Sequence, residues 1–459
     1  MSKATPEHAA GKTSDPHITL SRRGFLRRSA AAGAVAAFPA IVPASVFGAE
    51  APSERIAVGC IGVGRMGGIE GDLKEALGIK QVQVVAVCDV DSRRVTLAQK
   101  TVEQSYAERY PNGQYKGCDT YGDFRELLAR ADIDAVQIST PDHWHMIPAI
   151  EAAKAGKDIF LQKPLSLTIT EGRQVSDTVR RYGRIFQIGS QQRSERWFRQ
   201  ACELVRNGRV GKLHTIKVGF GTDPGCGPQP EMPVPANLDY DMWLGPAPWA
   251  PYTEERVHPQ NSVTARPGWL RISDYGAGMI TGWGSHHLDI AHWGMGTEFT
   301  GPIEIEGRAE FPTSGLWDVH GDFHIEYLYA NGVRMIAADE KVHKNGVRFE
   351  GDKGWIFVTR GAIDAEPKSL LQETIGPGET KLYVSNYHKG NFYECVKSRA
   401  ETIAPVEVAH RSCSACLLGD IAMRTGLKLK WDPAKERFVD NDPVASKMLS
   451  RTMRSPWKL

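Results

Sequence analysis

The sequence predicts an α/β protein with two domains: an N-terminal doubly wound parallel sheet and a C-terminal α/β domain with a mainly antiparallel sheet. Residues 55–91 read as strand, glycine-rich turn, helix and strand, and strands then alternate with helices to about residue 188. Beyond residue 210, short strand-like runs are separated by turns, as is typical of an antiparallel sheet. At 459 residues, the chain is also too long for one ordinary core.

The composition excludes several classes of protein. Charged residues make up 24% and hydrophobic residues 41% of the chain, as in soluble globular proteins. The formal net charge is +2 and the body of the chain has no basic block, so we expect no nucleic-acid partner. No run of eighteen apolar residues occurs, so we expect no permanent membrane span. Eight cysteines in this length do not indicate a disulfide framework, and Cys413 and Cys416 fit small core residues on a helix better than a redox pair.

Residues 1–49 are predicted to be a signal peptide rather than part of the fold. Arg22 and Arg23 precede an alanine-rich, mildly apolar region at residues 30–42, and small residues follow it. This pattern resembles a twin-arginine signal, so we expect the twin-arginine export machinery as a partner and a periplasmic location. A basic tail without an export role is the alternative.

The turn after the first strand has the spacing G-x-G-x-x-G and is typical of a dinucleotide-binding Rossmann domain. Gly62 permits the tight turn, Gly64 lets the backbone approach a pyrophosphate, and Gly67 lets the following helix pack on the sheet. Arg65 and Met66 lie between these glycines and join the predicted cofactor site. We expect the N-terminus of the helix to bind the phosphates. A tight turn without a ligand is the alternative.

Asp89 ends the second predicted strand, 22 positions after Gly67. A carboxylate there is placed to accept hydrogen bonds from the ribose hydroxyls. It would repel a 2′-phosphate, so the sequence favours NAD as the cofactor. Arg93 and Arg94 follow closely and could serve NADP, which therefore stays open.

The next two strand ends bring further polar residues to the same edge of the predicted sheet. The strand at residues 135–139 leads to Thr140 and His145, and the following strand leads to Gln162 and Lys163. Ligands of open α/β sheets bind at the carboxyl ends of the strands. We therefore include these four residues in the predicted cofactor site.

The order of domains follows from these patterns. We expect the Rossmann domain at residues 54–185, a substrate-binding α/β domain at residues 186–400, and C-terminal helices with a tail at residues 401–459. Residues 224–267 are rich in proline and aromatic residues and have few helix signals. We expect this segment to be a long ordered loop that shapes the site.

Together these motifs resemble the Gfo/Idh/MocA oxidoreductase family, which includes glucose–fructose oxidoreductase and inositol dehydrogenase. The resemblance rests on the glycine motif, Asp89, the Thr140–His145 run, Gln162-Lys163-Pro164 and the run from Trp283 to Asp289. It implies a C-terminal α/β domain whose open antiparallel sheet often forms an oligomer interface, so we expect a homo-oligomer through that sheet. It also implies hydride transfer between NAD(P) and a carbon of a sugar, glycoside or polyol.

The resemblance further implies two catalytic residues. Lys163 matches the lysine of a Glu-Lys-Pro motif, which can hold the reacting hydroxyl, and His286 matches a histidine that can act as a base. Two positions depart from the family pattern. Gln162 replaces the usual glutamate, which suggests that Lys163 is easier to deprotonate. Gly282 replaces the aspartate that normally accompanies the histidine, and the candidates to replace it are His287, Asp274 and Asp289.

The remaining candidates concern the substrate. Low-ranking candidates for contact with it are Gln191, Arg193, His287, Asp289 and His388. An ordinary exposed loop is equally compatible with Gln191 and Arg193. Clustered histidines around residue 286 raise the alternative of a metal site, but no outlying ligand is identifiable and we expect no metal.

Three functions remain open. The leading hypothesis is an exported NAD(P)-dependent oxidoreductase that acts on carbohydrate CH–OH groups with a cofactor that is held tightly. The second is a redox-neutral, NAD-dependent glycoside hydrolase of the same family. The third is a dinucleotide-binding protein with impaired catalysis, which the residues at 162 and 282 suggest.

Overall fold

The computed structural model describes residues 55–109, 113 and 115–458. The predicted signal peptide at residues 1–49 lies outside them. The described chain contains two sheets, and the first has six parallel strands in the order β3-β2-β1-β4-β5-β6. These strands are β1 Ile56–Ile61, β2 Val82–Cys88, β3 Asp119–Tyr121, β4 Ala135–Ile138, β5 Asp158–Leu161 and β6 Phe186–Ile188.

Helices connect these strands as crossovers. They are α1 Asp72–Leu77, α2 Ser92–Ala107, α3 Phe124–Leu128, α4 Met146–Lys154 and α5 Ile169–Arg181. All residues of β4 and β5 are buried, because helices cover both faces of a doubly wound sheet. The strand order reverses between β1 and β4, and this reversal opens a crevice at the carboxyl edge.

The second sheet has nine strands in the order β13-β12-β11-β7-β10-β9-β8-β14-β15. Only the pair of β7 and β10 is parallel, so the prediction of a mainly antiparallel sheet is confirmed. The strands are β7 Leu213–Phe220, β8 Glu304–Ala309, β9 Phe323–Leu328, β10 Arg334–Asp339, β11 Gly346–Gly351, β12 Gly354–Thr359, β13 Ala362–Glu366, β14 Leu429–Asp432 and β15 Arg437–Phe438.

One face of this second sheet is covered by helices. The helices of this half are α6 Arg196–Arg206, α7 Tyr240–Leu244, α8 Met279–Gly282, α9 Gly284–Met295, α10 His388–Ser398, α11 Val406–Thr425 and α12 Pro443–Lys447. α11 packs on β8 and also on α5 and α9, so it joins the helices of both halves. Strand β9 shows the alternation of a one-sided sheet, since Phe323, Ile325 and Tyr327 are buried and the residues between them are not.

The described chain agrees with the sequence on membrane-spanning helices and on the cysteines. None of its helices combines the length and the apolar character that crossing a membrane would need. All eight cysteines are free, and Cys413 and Cys416 are buried on α11, which confirms their interpretation as core residues.

Candidate active site

A cavity of about 170 Å³ lies at the carboxyl edge of the parallel sheet. Nine of the ten residues predicted to bind the cofactor line it, and they are Gly62, Gly64, Arg65, Met66, Asp89, Thr140, His145, Gln162 and Lys163. The tenth, Gly67, packs behind the turn. Among the described residues, His286 and the five substrate candidates do not line this cavity. The strand-end argument therefore identified the cofactor side of the site.

Two glycines allow the turn after β1 to lie against the sheet. Gly62 has a φ of 79°, and a Cβ there would lie 2.7 Å from the backbone of Ser139, at the end of the neighbouring strand. A Cβ on Gly67 would lie 1.9 Å from the carbonyl oxygen of Gly62. A side chain at either position would push the turn away from the sheet edge, so close backbone approach requires glycine at both.

The helix after this turn begins later than the sequence indicates. α1 starts at Asp72, whose N–H donates to the carbonyl of Met66. Three glycines between residues 67 and 71 disfavour the helical conformation. The helix therefore does not begin directly after the glycine motif, and binding of the phosphates by its N-terminus stays a prediction. The turn itself, at Gly64 and Arg65, lines the cavity.

Asp89 lies at the end of β2 and is tied to the glycine turn. One carboxylate oxygen accepts the N–H of Val63 at 2.9 Å, and the other accepts the N–H of Asp91 at 3.0 Å. A carboxylate oxygen can accept a second hydrogen bond, and Asp89 lines the cavity. Its position fits recognition of the ribose hydroxyls.

Arg93 and Arg94, which could serve the 2′-phosphate of NADP, both lie close to other groups of the protein. The guanidinium of Arg93 donates to a backbone carbonyl. Nε of Arg94 lies 3.7 Å from the carboxylate of Asp91. Its Nη1 lies against Gly64, 2.2 Å from the position that a Cβ would take there. Asp89 is the carboxylate that lines this end of the cavity, and it would repel a 2′-phosphate, which favours NAD.

A buried polar network supports Gln162. Its amide nitrogen lies 3.1 Å from each carboxylate oxygen of Asp72. Asp72 also accepts hydrogen bonds from Ser139 Oγ and from Lys389 Nζ, each at 2.5 Å. The ammonium of Lys389 is 1% exposed and donates to Gln137 as well. Asp72 therefore supplies a negative charge next to residue 162, and a neutral amide is its matching partner.

Lys163 follows Gln162 and precedes a cis peptide bond to Pro164. Burial lowers the pKa of the Lys163 ammonium, the charge of Asp142 opposes this effect, and three arginines lower the pKa further. Asp142 lines the same cavity, and burial raises its pKa to about 7 against the opposing charge of Lys163. Burial therefore favours the neutral form of both groups, and the charge of each opposes that effect on the other. The lysine is easier to deprotonate, as expected, but burial is the main cause.

His145 holds two turns of the cavity wall together. Its Nδ1 lies 2.6 Å from the carbonyl oxygen of Pro164, and its Nε2 lies 2.9 Å from that of Thr140. Burial lowers the pKa of His145 to about 4, so the neutral ring has one N–H and donates to one of these carbonyls. The hydroxyl of Thr140 is buried and has no hydrogen-bond partner among the described residues. A bound cofactor would satisfy this group.

His286 lies buried on α9, and its Nδ1 has no hydrogen-bond partner among the described residues. Burial holds its pKa well below the usual range, and the positive charges of Lys163 and Arg360 lower it further. The ring is therefore neutral at physiological pH, and its Nδ1 is free to hydrogen-bond a bound substrate. Because the charge of Lys163 acts on His286, the two predicted catalytic groups belong to one neighbourhood.

The space in front of Gly282 is open. A Cβ on this residue would contact only the Sδ of Met279, at 3.7 Å. No carboxylate is among the described groups that shift the pKa of His286. Asp274, one suggested replacement for the family aspartate, has its pKa raised by burial and by the neighbouring Asp318. Among the described residues, a Cβ on Gly282 would therefore meet no carboxylate at the position of the family aspartate.

Arg193 and Asp289 form a buried ion pair. Nε and Nη2 of Arg193 lie 2.6 and 2.8 Å from the carboxylate of Asp289, and Nη1 lies 2.8 Å from Glu298. Neither side chain of the pair is more than 3% exposed. Such a pair fixes the loop after β6 to α9. Contact of these two residues with a substrate stays a prediction, and this geometry favours a structural role.

Helix α9 directs its other polar side chains to separate partners. His287 Nε2 lies 3.1 Å from the amide oxygen of Asn345, and His292 Nε2 lies 2.7 Å from the hydroxyl of Tyr329. In the described part of the chain, no group of three or more His, Cys, Asp or Glu side chains is placed to hold a metal ion. The expected absence of a metal and the substrate contact of His287 both stay predictions.

The last two substrate candidates lie near the end of β6. His388 Nδ1 lies 2.9 Å from Ser194 Oγ, and its Nε2 lies 2.8 Å from the carbonyl oxygen of Ile188. Burial lowers the pKa of His388 to about 4. Gln191 is half-buried in the loop that follows β6. Both nitrogens of His388 face protein groups, so its contact with a substrate stays a prediction.

Residues 224–267, here called the edge strap, attach to the carboxyl edge of the parallel sheet. Asp91 is the main attachment, since it accepts the amide of Asn237 at 2.9 Å and lies 3.0 Å from His258 Nε2. Burial alone would raise the pKa of Asp91, but the hydrogen bonds from these two residues bring it down to about 2. Trp243 and His258 line the cavity, so the strap shapes the site as predicted.

Sequence reasoning missed three residues of this site. Asp142 follows β4 in the same turn as Thr140 and His145, and its place after a strand is a signal that could have found it. Asp72 and Lys389 meet in the buried network although they are 317 positions apart. No local pattern could have linked these two.

Comparison with protein families identifies both halves of the chain. The model of the oxidoreductase family C-terminal alpha/beta domain, GFO_IDH_MocA_C2, matches residues 224–459. The model of the oxidoreductase family NAD-binding Rossmann fold, GFO_IDH_MocA, matches residues 56–190. The first match alone spans more than half of the chain.

Curated relatives match parts of the chain. The uncharacterized oxidoreductase YrbE of Bacillus subtilis is 26% identical over 242 residues, which is 50% of this chain and 64% of YrbE. An alpha-N-acetylgalactosaminidase of Shewanella oneidensis is 34% identical over 171 residues, which is 37% of this chain and 36% of the relative. The matched regions therefore span less than two thirds of each relative.

Solved structures show the same fold. The WlbA dehydrogenase of Bordetella pertussis, solved in complex with NADH and UDP-GlcNAcA, superposes with a TM-score of 0.58 at 15% identity, over 82% of this chain and 99% of WlbA. Together with the glycine turn, Asp89 and the buried unpaired hydroxyl of Thr140, these matches confirm the predicted family and cofactor. The protein belongs to the Gfo/Idh/MocA oxidoreductase family and has an NAD-binding Rossmann domain.

Proposed function

We propose that this protein oxidises or reduces a CH–OH carbon of a sugar, glycoside or polyol, with NAD as a tightly held hydride carrier. The pairing of Lys163 with Asp142 is the observation that carries this proposal. Both residues line the cavity that contains the glycine turn. A group beside the cofactor that can accept a proton is what oxidation of an alcohol requires.

The side chains have distinct tasks in this proposal. NAD, when bound, exchanges a hydride with the carbon that bears the hydroxyl. Lys163 accepts the hydroxyl proton, because its lowered pKa makes the neutral amine accessible, and Asp142 stabilises the resulting ammonium. His286 is neutral and serves as a second proton acceptor. Asp72 holds Gln162, and so the turn that carries Lys163, in place.

The edge strap supports a tightly held cofactor. Its residues Trp243 and His258 form part of the cavity wall, and Asn237 and His258 attach it to Asp91 next to the cofactor-binding Asp89. Release of a dinucleotide would require these contacts to open. A retained cofactor would be reoxidised on the protein by a second substrate, or restored within one catalytic cycle.

Restoration within one cycle is the second candidate function, a redox-neutral glycoside hydrolase. The matching alpha-N-acetylgalactosaminidase of Shewanella oneidensis, at 34% identity over 171 residues, favours it. In this reaction a transient oxidation of the sugar labilises the glycosidic bond, and the same hydride returns afterwards. The third candidate is a protein with impaired catalysis, and the amide at Gln162 was one observation that suggested it. The contact of Gln162 with Asp72 accounts for this amide, so the observation no longer supports that candidate.

The test begins with purified protein, which is denatured so that released NAD(H) can be measured by mass spectrometry. Loaded protein is then mixed with methyl glycosides of common hexoses, and absorbance at 340 nm and release of reducing sugar are followed together. An oxidoreductase gives a keto-sugar and reduced cofactor. A hydrolase releases sugar without net reduction. Absence of bound dinucleotide and of both reactions would overturn the proposal.

Export and assembly are also part of the proposal. We propose that residues 1–49 direct the protein through the twin-arginine route to the periplasm. Lysine substitutions at Arg22 and Arg23 should then keep the protein in the cytoplasm in cell fractionation.

We further propose a homo-oligomer through the half-exposed face of the nine-stranded sheet, to which residues such as His324 and Glu326 belong. Light scattering on the purified protein tests that assembly.

A further inference from the structure

Arg360 lies in the turn between β12 and β13, next to the predicted catalytic groups. Its guanidinium stacks 4.7 Å from the ring centre of Trp283. The same indole ring lies 5.9 Å from the ring of His286 and 5.4 Å from that of His287. Arg360 is exposed and forms no hydrogen bond and no ion pair with any described residue. The nearby Glu195 acts on it only at longer range and accepts the N–H of the next residue instead.

A second arginine approaches from the end of the edge strap. Nη2 of Arg266 lies 2.7 Å from the carboxylate of Asp223 and 3.4 Å from the Sδ of Met279. Arg271 Nε lies 3.2 Å from the same carboxylate oxygen. One carboxylate therefore serves two guanidinium groups, which leaves a surplus positive charge beside Met279.

Met279 connects this charge to Gly282. Among the described residues, a Cβ on Gly282 would contact only the Sδ of Met279, at 3.7 Å. Because Nη2 of Arg266 lies 3.4 Å from that sulfur, Arg266 borders the open space in front of Gly282. An ordinary contact distance means that packing does not require glycine here, and its φ is not in the left-handed region. An acidic side chain would fit at this position. Without it, Arg360 has no ion-pair partner among the described residues, and Arg266 shares the carboxylate of Asp223 with Arg271.

The cofactor does not account for these charges. Arg65 lies on the glycine turn and lines the cavity, so it is placed beside the phosphates of a dinucleotide. Arg266 and Arg360 are not among the residues that line this cavity. Their charges act on Lys163, as that of Arg65 does, and the charge of Arg360 also acts on His286. Arg266 and Arg360 therefore lie near the two predicted catalytic groups but outside the wall of the cofactor cavity.

We propose that the substrate is an acidic sugar, whose anionic group occupies the space at Gly282 between Arg266 and Arg360. A planar guanidinium binds carboxylate and phosphate through two parallel hydrogen bonds, and the guanidinium of Arg360 has its donors free for such a ligand. The anionic group of the substrate takes the place of the carboxylate that the chain lacks. This inference rests on the proposed oxidoreductase function and specifies its substrate class.

The experiment compares matched acidic and neutral sugars on the NAD-loaded protein. The pairs are methyl β-D-glucuronide with methyl β-D-glucoside, methyl α-D-galacturonide with methyl α-D-galactoside, and glucose 6-phosphate with glucose. Reduction of the bound cofactor is followed at 340 nm. We expect the acidic member of at least one pair to have a kcat/KM at least about tenfold higher. The pair that responds distinguishes a carboxylate from a phosphate.

Variants separate recognition from chemistry. Arg360→Gln should raise KM for the acidic sugar about tenfold and so reduce the ratio of kcat/KM between the acidic and the neutral sugar. The neutral sugar measures the change in turnover that follows from loss of this charge near Lys163 and His286. Gly282→Asp should also reduce the preference, because the new carboxylate occupies the arginines. Arg181→Gln removes an exposed arginine at the end of α5 and should behave as wild type.

The outcomes distinguish this inference from the function on which it rests. If neutral sugars reduce the cofactor as well as acidic sugars do, and Lys163→Ala abolishes that reaction, the proposed function stands and the acidic substrate is wrong. If no sugar in the panel reacts, both are overturned. An unchanged preference in Arg360→Gln would also contradict the inference.

Discussion

The side-chain nitrogen of Gln162 lies 3.1 Å from both carboxylate oxygens of Asp72, across the interface between the catalytic turn and the first helix. This contact explains why an amide stands where the family usually has a glutamate. The carboxylate next to residue 162 belongs to Asp72 on another element, and the buried ammonium of Lys389 compensates its charge. The amide at residue 162 is therefore matched to its surroundings.

The first prediction concerns Gln162→Glu. This change brings a second carboxylate against Asp72, with one ammonium to compensate both, and we expect unfolding free energy to fall by about 2 kcal/mol. Urea unfolding measures it. Adding Asp72→Asn to the variant returns the site to one carboxylate and should recover most of the loss. Strictly additive effects of the two changes in a double-mutant cycle would contradict the contact.

The second prediction concerns the two proton acceptors. Lys163→Ala should reduce turnover by a factor of about 10² to 10⁴, while NAD remains bound, because the turn around the cofactor is unchanged. His286→Ala should have a smaller effect, since no carboxylate supports this histidine. Turnover and released NAD are measured on the same preparations. Lys154→Ala, which removes an exposed lysine paired with Glu151, is the control. Full turnover in both active-site variants would refute the assignment.

The sequence was a good guide to this site wherever a residue's position followed from one strand and its turn. Glycine spacing, Asp89 and the two later strand ends all lead to the cavity, because the carboxyl ends of parallel strands meet at one edge. Arg193 was harder to place. An arginine on a loop after a strand looks the same in sequence whether it faces solvent or pairs with Asp289 inside the protein.

Long-range contacts set the limit of sequence reasoning. α1 starts only at Asp72, because the three glycines before it disfavour the helical conformation and allow close packing instead. The hydrophobic periodicity of the sequence does not show where that effect ends. The attachment of the edge strap to Asp91 joins segments 146 positions or more apart. Contacts of this kind follow from the assembled fold, so the residues that support Lys163 emerged only from the structure.

The third prediction concerns Asp142→Asn. The charge of Asp142 raises the pKa of Lys163, so its removal should lower that pKa further and move the acid limb of the kcat/KM profile for oxidation to lower pH. Turnover should also fall, because the ammonium formed after proton transfer loses its counter-charge. Stopped-flow rates across the pH range test both effects. Asp440→Asn, an exposed carboxylate, is the control. A shift to higher pH would contradict the pairing.

The fourth prediction concerns acid stability. Arg173 lies 2.8 Å from Glu407 and 2.7 Å from Glu436, and so ties α5 to α11 and to the turn between β14 and β15. Burial raises the pKa of both carboxyls, but hydrogen bonds from Arg173 and neighbouring residues bring each from 4.5 to about 2. Because the folded pKa is the lower one, this stabilisation is complete above pH 4.5 and is lost as the pH falls through about 2.

Thermal unfolding at a series of pH values tests this network. Glu407→Gln should lower stability near neutral pH and flatten its dependence on acid. Glu151→Gln changes an exposed carboxylate and should keep the slope of the wild type. An unchanged acid slope in Glu407→Gln would show that the network does not contribute.

The last prediction concerns retention of the cofactor by the edge strap. Asn237 donates to Asp91 at 2.9 Å but does not line the cavity, so Asn237→Ala weakens the attachment without removing a contact to NAD. A hydrogen bond to a charged group contributes about 2 kcal/mol, so we expect NAD to dissociate at least about tenfold faster. Dissociation is measured from the NAD content after timed gel filtration. Gln229→Ala is the matched control, because this amide contacts only residues within the strap. Equal losses from the two variants, or none from either, would mean that the strap does not retain the cofactor.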